Sequence, residues 1–588
     1  MSNIKGRGPL NMHVMNAKVY RDYIVGLIIT LTVLIGETLV IVLNIDRYRI
    51  ASLHELASDP IKLIIYSSYI LSVVLVPALV LWSFSAAREL IEMYRRLSLK
   101  SLSNVDVLWI RRNVWLLPLL TALSFASILL SIIIGSRYIA LFALLPLLPF
   151  AAVILKPVIE VYNHKRLIDI ELKWFIIILS IIEGVGTNIG FLIEKLKRAP
   201  LLKSISKEMA IVDRDSKLYF LSHVDALLYR ARATPSERLG RIFLGYASKI
   251  REGGNISLWL RTRIDEEILR SEFNMKLYVE RMAVTISQLA MVLYIILPLI
   301  VLSTSMVLSM HFTIVVSIIT TPLLISIAYS IRPKTLDSIP MKYVIQSQLV
   351  FVVLSIILYN FVGSYSLAVS WFAGIVAGYR AHKMVMETEI LDRDSLEILK
   401  NVIELRRSGY SVVKALEYIV QSGMLNGVTL RILETVLNRV SQGYSLAEVG
   451  VEIKSTSFLF RYTIFILGII HECGGGNEEV LQSLYENIYR VKIMENSVRK
   501  LSLFFEMLSI ANVFIMVWIW RTVSPLVATL NEYYPLGNGH ASLISILIFT
   551  SLICFKLISS VIKKGLPIFE PKDCIAIAVG TLALNLIP

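Results

Sequence analysis

The chain has 588 residues, 56% hydrophobic and only 18% charged, with a mean hydropathy of +0.68. That composition excludes an ordinary soluble globular protein and points to an α-helical membrane protein. The formal charge of +15 suits an acidic partner and the cytoplasmic flanks of membrane spans. Nucleic acid is not expected as a partner, because no binding motif or set of interleaved aromatics accompanies the basic residues.

Apolar runs of roughly spanning length set the first elements. Four lie at 23–45, 61–84, 114–135 and 137–156, in an N-terminal membrane region 1–156. A polar stretch, 157–282, follows as a first helical lobe. Four more runs, 283–309, 311–331, 343–363 and 365–379, make a central membrane region 283–379. A second polar lobe covers 380–500, and a C-terminal membrane region 501–588 holds runs at 502–524, 541–562 and 574–588. The expected fold is therefore all-α: a polytopic membrane protein with about eleven transmembrane helices and two cytoplasmic helical lobes. Lys and Arg concentrate in alternate loops (Arg88, Arg95, Arg96, Arg111 and Arg112; then Arg332, Lys334 and Lys342; then Lys563, Lys564 and Lys572). That alternation expects the N-terminus and both lobes in the cytoplasm and the C-terminus outside. The first apolar run reads as an anchor rather than a cleaved signal.

Internal repetition is the strongest further signal. In "EGVGTNIGFLIEKL" Gly186 precedes Glu194 by eight residues, and in "RRSGYSVVKALEYI" Gly409 precedes Glu417 by eight. Gly253, Gly254 and Asn255 are answered by Gly475, Gly476 and Asn477, within a glycine run that begins at Gly474. The same orientation of both copies reads as a tandem duplication of the lobe. Glycine allows the chain to turn sharply at a helix end, and asparagine then caps the next helix. Glu478 and Glu479 follow where the helix dipole favours anions. Apolar stripes (Ile256, Leu260, Ile264, Ile268 and Val480, Leu484, Ile488, Val491, Val498) predict amphipathic helices. No Gly or Pro interrupts 256–297 or 478–524, so each helix is expected to run on into a span as a connector of ~60–70 Å.

These features resemble the type II secretion system protein F domain family, most closely its archaeal members, the membrane platforms of type IV pili and of the archaellum. The resemblance rests on an acidic residue before a glycine turn and a Leu-containing helix. The positions are Glu252, Gly253, Gly254 and Leu258 in the first copy and Glu472, Gly474, Gly475 and Leu481 in the second. It covers about half the chain, residues 160–305 and 385–525. Cys473 and Gly474 depart from the small polar residue common in the family, and the spans outnumber those of a minimal platform. The resemblance implies a non-enzymatic assembly platform that contacts a cytoplasmic hexameric secretion ATPase and pilin-like subunits, suits a homodimer in membrane lipid, and needs no cofactor. The candidate ATPase contact is the basic face of the first lobe: Arg230, Arg232, Arg238, Arg241, Arg261 and Arg263.

No catalytic, cofactor or metal constellation is read from the sequence. The glycine clusters lack the Lys-Ser/Thr of a phosphate-binding loop, and His471-Glu472 lacks a second zinc-binding His. "DRDS" occurs at 213–216 and 392–395, an Asp-x-Asp pattern that a glycosyltransferase could use. Each copy reads better as sitting at a loop or helix start, with Asp394 or Ser395 capping "LEILKNVIEL". Cys473, Cys554 and Cys574 read as free packed thiols. Within the spans, Glu37, Glu506 and Lys556 are ionisable. Glu506 and Lys556 fit either a pair across adjacent helices or independent snorkelling. A permease subunit of an ATP-driven transporter is the alternative function; the scarcity of mid-membrane polar groups argues against it.

Overall fold

The computed structural model describes residues 147–292, 294, 310–333, 335–475, 478–533 and 540–585. It contains helices and no strand among the described residues. One compact unit comprises residues 168–232 and 237–588. Of a second, residues 1–167 with 233–236, the described residues are 147–167, which are helical, and 233–236.

The first lobe is built from α1 (Leu147–Gly184), α2 (Ile189–Arg198), α3 (Lys203–Leu218), α4 (His223–Ala233), α5 (Glu237–Glu252) and α6 (Ile256–Arg281). A π turn, Met282–Ile286, carries the chain into α7 (Ser287–Met291). Then come α8 (Met310–Ile331), with Pro322 inside it, and α9 (Met341–Val362). The second lobe also has six helices: α10 (Ser366–Arg407), α11 (Val412–Ser422), α12 (Gly427–Ser441), α13 (Leu446–Glu452), α14 (Phe458–Glu472) and α15 (Glu478–Tyr533). Helices α16 (His540–Lys564) and α17 (Asp573–Asn585) close the chain.

Apolar periodicity explains the packing. Leu260, Ile264 and Ile268 of α6 and Leu484, Ile488, Val491 and Val498 of α15 are all buried, as their spacing along one helical face requires. Both lobes share one hydrophobic core, in which Phe175, Phe243, Phe460, Phe465 and Ile466 are closed off from solvent. The lobes meet where Trp174 of α1 packs edge-on against Phe458 and Tyr462 of α14, ring centres 5.4 and 4.7 Å away. Tyr462 donates its hydroxyl to the Trp174 carbonyl at 2.9 Å, which satisfies a polar group that is otherwise fully buried. At Gly468 the backbone of α13 comes so close that a Cβ would stand 2.3 Å from the Ala447 nitrogen.

Three helical stretches among the described residues are long and apolar enough to cross a membrane: Met341–Val362, Lys500–Thr522 and Ile544–Lys564. The first shows most of its apolar surface, and the last is almost wholly buried, packed mainly against α15 and α8. Asn512 of α15 donates to the buried Ser551 hydroxyl of α16 at 2.8 Å, a polar tie of the kind that fixes helix pairs in apolar surroundings. The expected spans at 23–45, 61–84 and 114–135, with most of 137–156 and 283–309, lie outside the described residues. So does Glu37. The run at 574–588 forms only the thirteen-residue α17, ~20 Å of helix, which is short for a span.

The boundary expected at 379/380 is absent. Helix α10 passes through it for 42 residues, ~63 Å, joining the apolar segment after Gly363 directly to the lobe. A change from apolar to polar side chains alters what surrounds a helix without interrupting its backbone hydrogen bonds. Helix α15 likewise runs for 56 residues, ~84 Å, past Pro525.

Candidate functional site

Each lobe ends in three turns of one kind. In each, the amide of one residue donates to the carbonyl five positions back, and the residue just before it has a positive φ. In the first lobe these bonds are Thr187 to Ile182 at 3.0 Å, Leu221 to Ser216 at 3.0 Å and Gly254 to Lys249 at 3.1 Å. In the second they are Tyr410 to Leu405 at 3.1 Å, Tyr444 to Arg439 at 3.3 Å and Gly475 to Ile470 at 2.7 Å. The left-handed residues are Gly186 (φ 78°), Phe220 (53°), Gly253 (69°), Gly409 (89°), Gly443 (93°) and Gly474 (95°). The turn geometry therefore pairs Gly253 with Gly474, one position off the sequence-based pairing with Gly475. Gly475 is itself left-handed at 91°.

Asn255 caps α6, its side-chain oxygen accepting from the Leu258 amide at 2.9 Å. Gly476 and Asn477 lie outside the described residues. Glu252 pairs with Lys249 on the surface at 3.0 Å, whereas Glu472 reaches the other lobe and binds Lys195 at 2.5 Å. It also accepts from the Ser445 hydroxyl. Leu258 is 63% exposed while Leu481 is completely buried. The two glycine turns thus occupy different surroundings: the second is built into the contact between lobes and the first faces solvent.

The basic face divides in the same way. Arg230 is not on the surface. Its guanidinium makes a two-pronged bond to Glu208, at 2.7 and 3.0 Å, and both residues are buried. Arg238 is half-buried and paired with Glu267. Arg263 pairs with Glu266 at 2.5 Å and lies over the Trp259 ring. Arg232, Arg241 and Arg261 are exposed and make no ion pair among the described residues. These three are the open cationic positions of the six.

Both Asp-x-Asp segments sit inside helices, not at helix starts. Asp213 and Asp215 lie in the last turns of α3 and are held by Lys197, Lys217 and Arg214. Burial pushes the Asp213 carboxyl up, but hydrogen bonds from Lys197 and Lys217 overcome this and hold it below the usual value of 3.8. Asp392 and Asp394 lie in the middle of α10. Asp394 caps a different helix from the one expected, accepting from the Asn426 amide at 3.2 Å and the Thr429 hydroxyl at the start of α12. Glu171, 223 positions earlier, holds the start of α3 by accepting two of its first-turn amides, Ser204 at 3.0 Å and Ile205 at 2.8 Å, whereas the first-turn Val428 amide of α12 is capped by the Asn426 side chain at 3.1 Å. The sequence carries this as "DIE" at 169–171 against "DRD" at 392–394, a signal hidden by the exact but unrelated match between the two "DRDS" strings.

A polar junction joins the second lobe to the segment between α8 and α9. Asp392 accepts from the Ser457 hydroxyl at 2.6 Å and from Lys492 at 2.7 Å. Asp337 accepts from the Phe458 amide at 3.0 Å and so caps α14 from outside, while the Ser338 amide donates to the Thr456 carbonyl at 3.0 Å. A cavity of about 170 Å³ opens here, with Lys173, Arg332, Asp337, Asp392 and Lys492 in its wall. Nearby, Lys564 pairs with Glu570 at 3.1 Å and contacts His382 Nδ1 at 3.2 Å. Burial raises the Glu570 carboxyl, but Lys564 and Lys563 hold it below its ordinary 4.5. Asp337 and Lys492 carry no signal in the sequence, because their partners lie 121 and 100 positions away.

Glu506 and Lys556 form no ion pair with each other. Glu506 accepts from the Ser559 hydroxyl at 3.2 Å, and that hydroxyl also meets the Ser502 carbonyl at 3.1 Å. All three cysteines are free thiols, and no cluster of metal-ligating side chains occurs among the described residues. No family model matches the chain, and neither the curated proteins nor the solved structures contain a significant match to it.

Proposed function

We propose that the chain is an integral-membrane assembly platform of a type IV pilus-like, archaellum or secretion system. On this reading it couples a cytoplasmic hexameric secretion ATPase to the insertion of pilin-like subunits into a filament, and is not itself an enzyme. The two lobes arose by tandem duplication, both face the cytoplasm with the N-terminus, the C-terminus lies outside, and about eleven spans hold the protein in the lipid. Two copies suit a platform beneath a hexameric motor.

The observation that carries this reading is mechanical. Of the two six-helix lobes, the second is fused by helices without a break to apolar segments, α10 on entry and α15 on exit. A helix transmits displacement along its axis because every residue is tied to the next turn. Lobe motion driven from the turn-bearing ends would therefore reach the membrane helices. The matching positions of Glu171 and Asp394, and the matching turns at Phe220 and Gly443, support duplication beyond the sequence motif.

The test is a detergent pull-down of the tagged protein from its native membrane, followed by mass spectrometry. A secretion-type ATPase that co-purifies, and is lost when Arg261 and Arg263 are both replaced by Glu, supports the platform. Recovery of a transporter-type nucleotide-binding subunit instead would establish the competing reading as a permease subunit.

A further inference from the structure

Five of the six lobe turns place glycine at the left-handed position; the α3–α4 turn places Phe220 there. Phe220 is the only non-glycine residue with positive φ among those described, and it is 95% exposed. Its counterpart in the second lobe, 223 positions on, is Gly443. A side chain in this conformation is strained relative to glycine, because Cβ crowds the neighbouring carbonyl. No packing among the described residues offsets that strain, since the ring lies in solvent.

The surroundings extend the exposed ring into a patch. Leu218, Tyr219 and Tyr229 are each at least 60% exposed, and the Tyr219 and Tyr229 rings stand 6.2 Å apart. The rim is cationic. Arg214 and Lys217 face solvent, while the carboxylates they bind, Asp215 and Asp213, are turned inward and nearly buried. Arg232, exposed and without an ion pair among the described residues, follows Tyr229 by three positions in α4. Aromatic anchors inside a charged border are the arrangement that carries most binding energy at protein interfaces.

We propose that the α3–α4 turn is a docking knob, with Phe220 as its anchor, for a protein surface presenting an apolar pocket bordered by Asp and Glu. Resting on the platform reading above, that surface belongs to the secretion ATPase. The cationic rim steers the encounter, and burial of the aromatic ring holds it. The left-handed turn projects the ring away from its own lobe, so the strain serves presentation.

The test uses the full-length protein in nanodiscs and the purified secretion ATPase encoded in the same genome, with affinity read by biolayer interferometry and lobe stability by thermal unfolding. Phe220→Gly is expected to weaken binding at least tenfold while leaving the unfolding temperature unchanged or raised. Arg232→Glu is expected to weaken binding in a manner that added salt diminishes. Unchanged affinity in Phe220→Gly overturns the docking knob and leaves the platform reading standing. A lower unfolding temperature with unchanged affinity overturns it too, by assigning the ring a structural role. Failure of the wild-type protein to bind the ATPase overturns the platform reading and, with it, this partner for the knob.

Discussion

Replacing Arg230 by alanine separates a structural arginine from a docking one. Arg230 lies between α3 and α4 with its fork on Glu208, which has no solvent exposure. Removing one member of a buried ion pair while leaving the other typically destabilises by ~3–5 kcal/mol, since a buried charge loses its main compensation. If the lobe opens through this site, amide exchange in 203–232 should accelerate by about two to four orders of magnitude. Hydrogen exchange with mass spectrometry on the detergent-solubilised protein would measure it. Replacing both residues, Glu208→Met with Arg230→Leu, should recover most of the protection, because matched apolar side chains remove both desolvation costs. Unchanged exchange in Arg230→Ala would refute the reasoning, and an accompanying loss of ATPase binding would return Arg230 to the docking surface.

Other expectations follow from the same geometry. Gly468→Ala places a Cβ against the α13 backbone, which cannot yield as a flexible side chain could; a loss of at least ~2 kcal/mol in lobe stability is expected, read by urea-dependent proteolysis. Glu171→Ala removes an external cap, at about 1 kcal/mol, with faster exchange confined to the first turn of α3, whereas Asp394→Ala should speed exchange at the start of α12 less, because Asn426 still caps that helix. The Lys195–Glu472 bridge should show a coupling of about 0.5–1 kcal/mol in a double-mutant cycle, since both side chains are partly shielded; zero coupling would show that this bridge does not hold the lobes together. Asp213 has a folded pKa below its ordinary 3.8, so the stability it contributes is present above that value and falls away as pH drops through the folded pKa. Thermal unfolding of Asp213→Asn should show a shallower loss on acidification than the wild type.

What the sequence makes visible are features with one physical solution. A left-handed helix end nearly demands glycine, so Gly186, Gly253, Gly409 and Gly474 can be found by eye, and Asn255 as a cap follows from its place after them. Apolar spacing predicts the buried faces of α6 and α15 and the three spanning helices for the same reason. Phe220 was invisible because it breaks the rule that located the others. Arg230 looked like surface because charge in a sequence says nothing of burial; only its approach to Glu208, 22 positions away, removes it from solvent. Asp394 reads as a local cap, yet its partners begin 32 residues later, a distance at which chain order carries no geometric information. The continuity of α10 was missed because polarity was taken for a boundary, although helix propensity does not change at that point.

The central claim is that this protein builds a filament from the membrane. It is tested most directly by electron microscopy of native cells lacking the gene, with and without a restored copy. The account predicts that surface filaments disappear, return with the wild-type chain, and remain absent with a chain carrying Arg232→Glu, Arg241→Glu and Arg261→Glu together. Filaments of normal number and length in the deleted strain would contradict it.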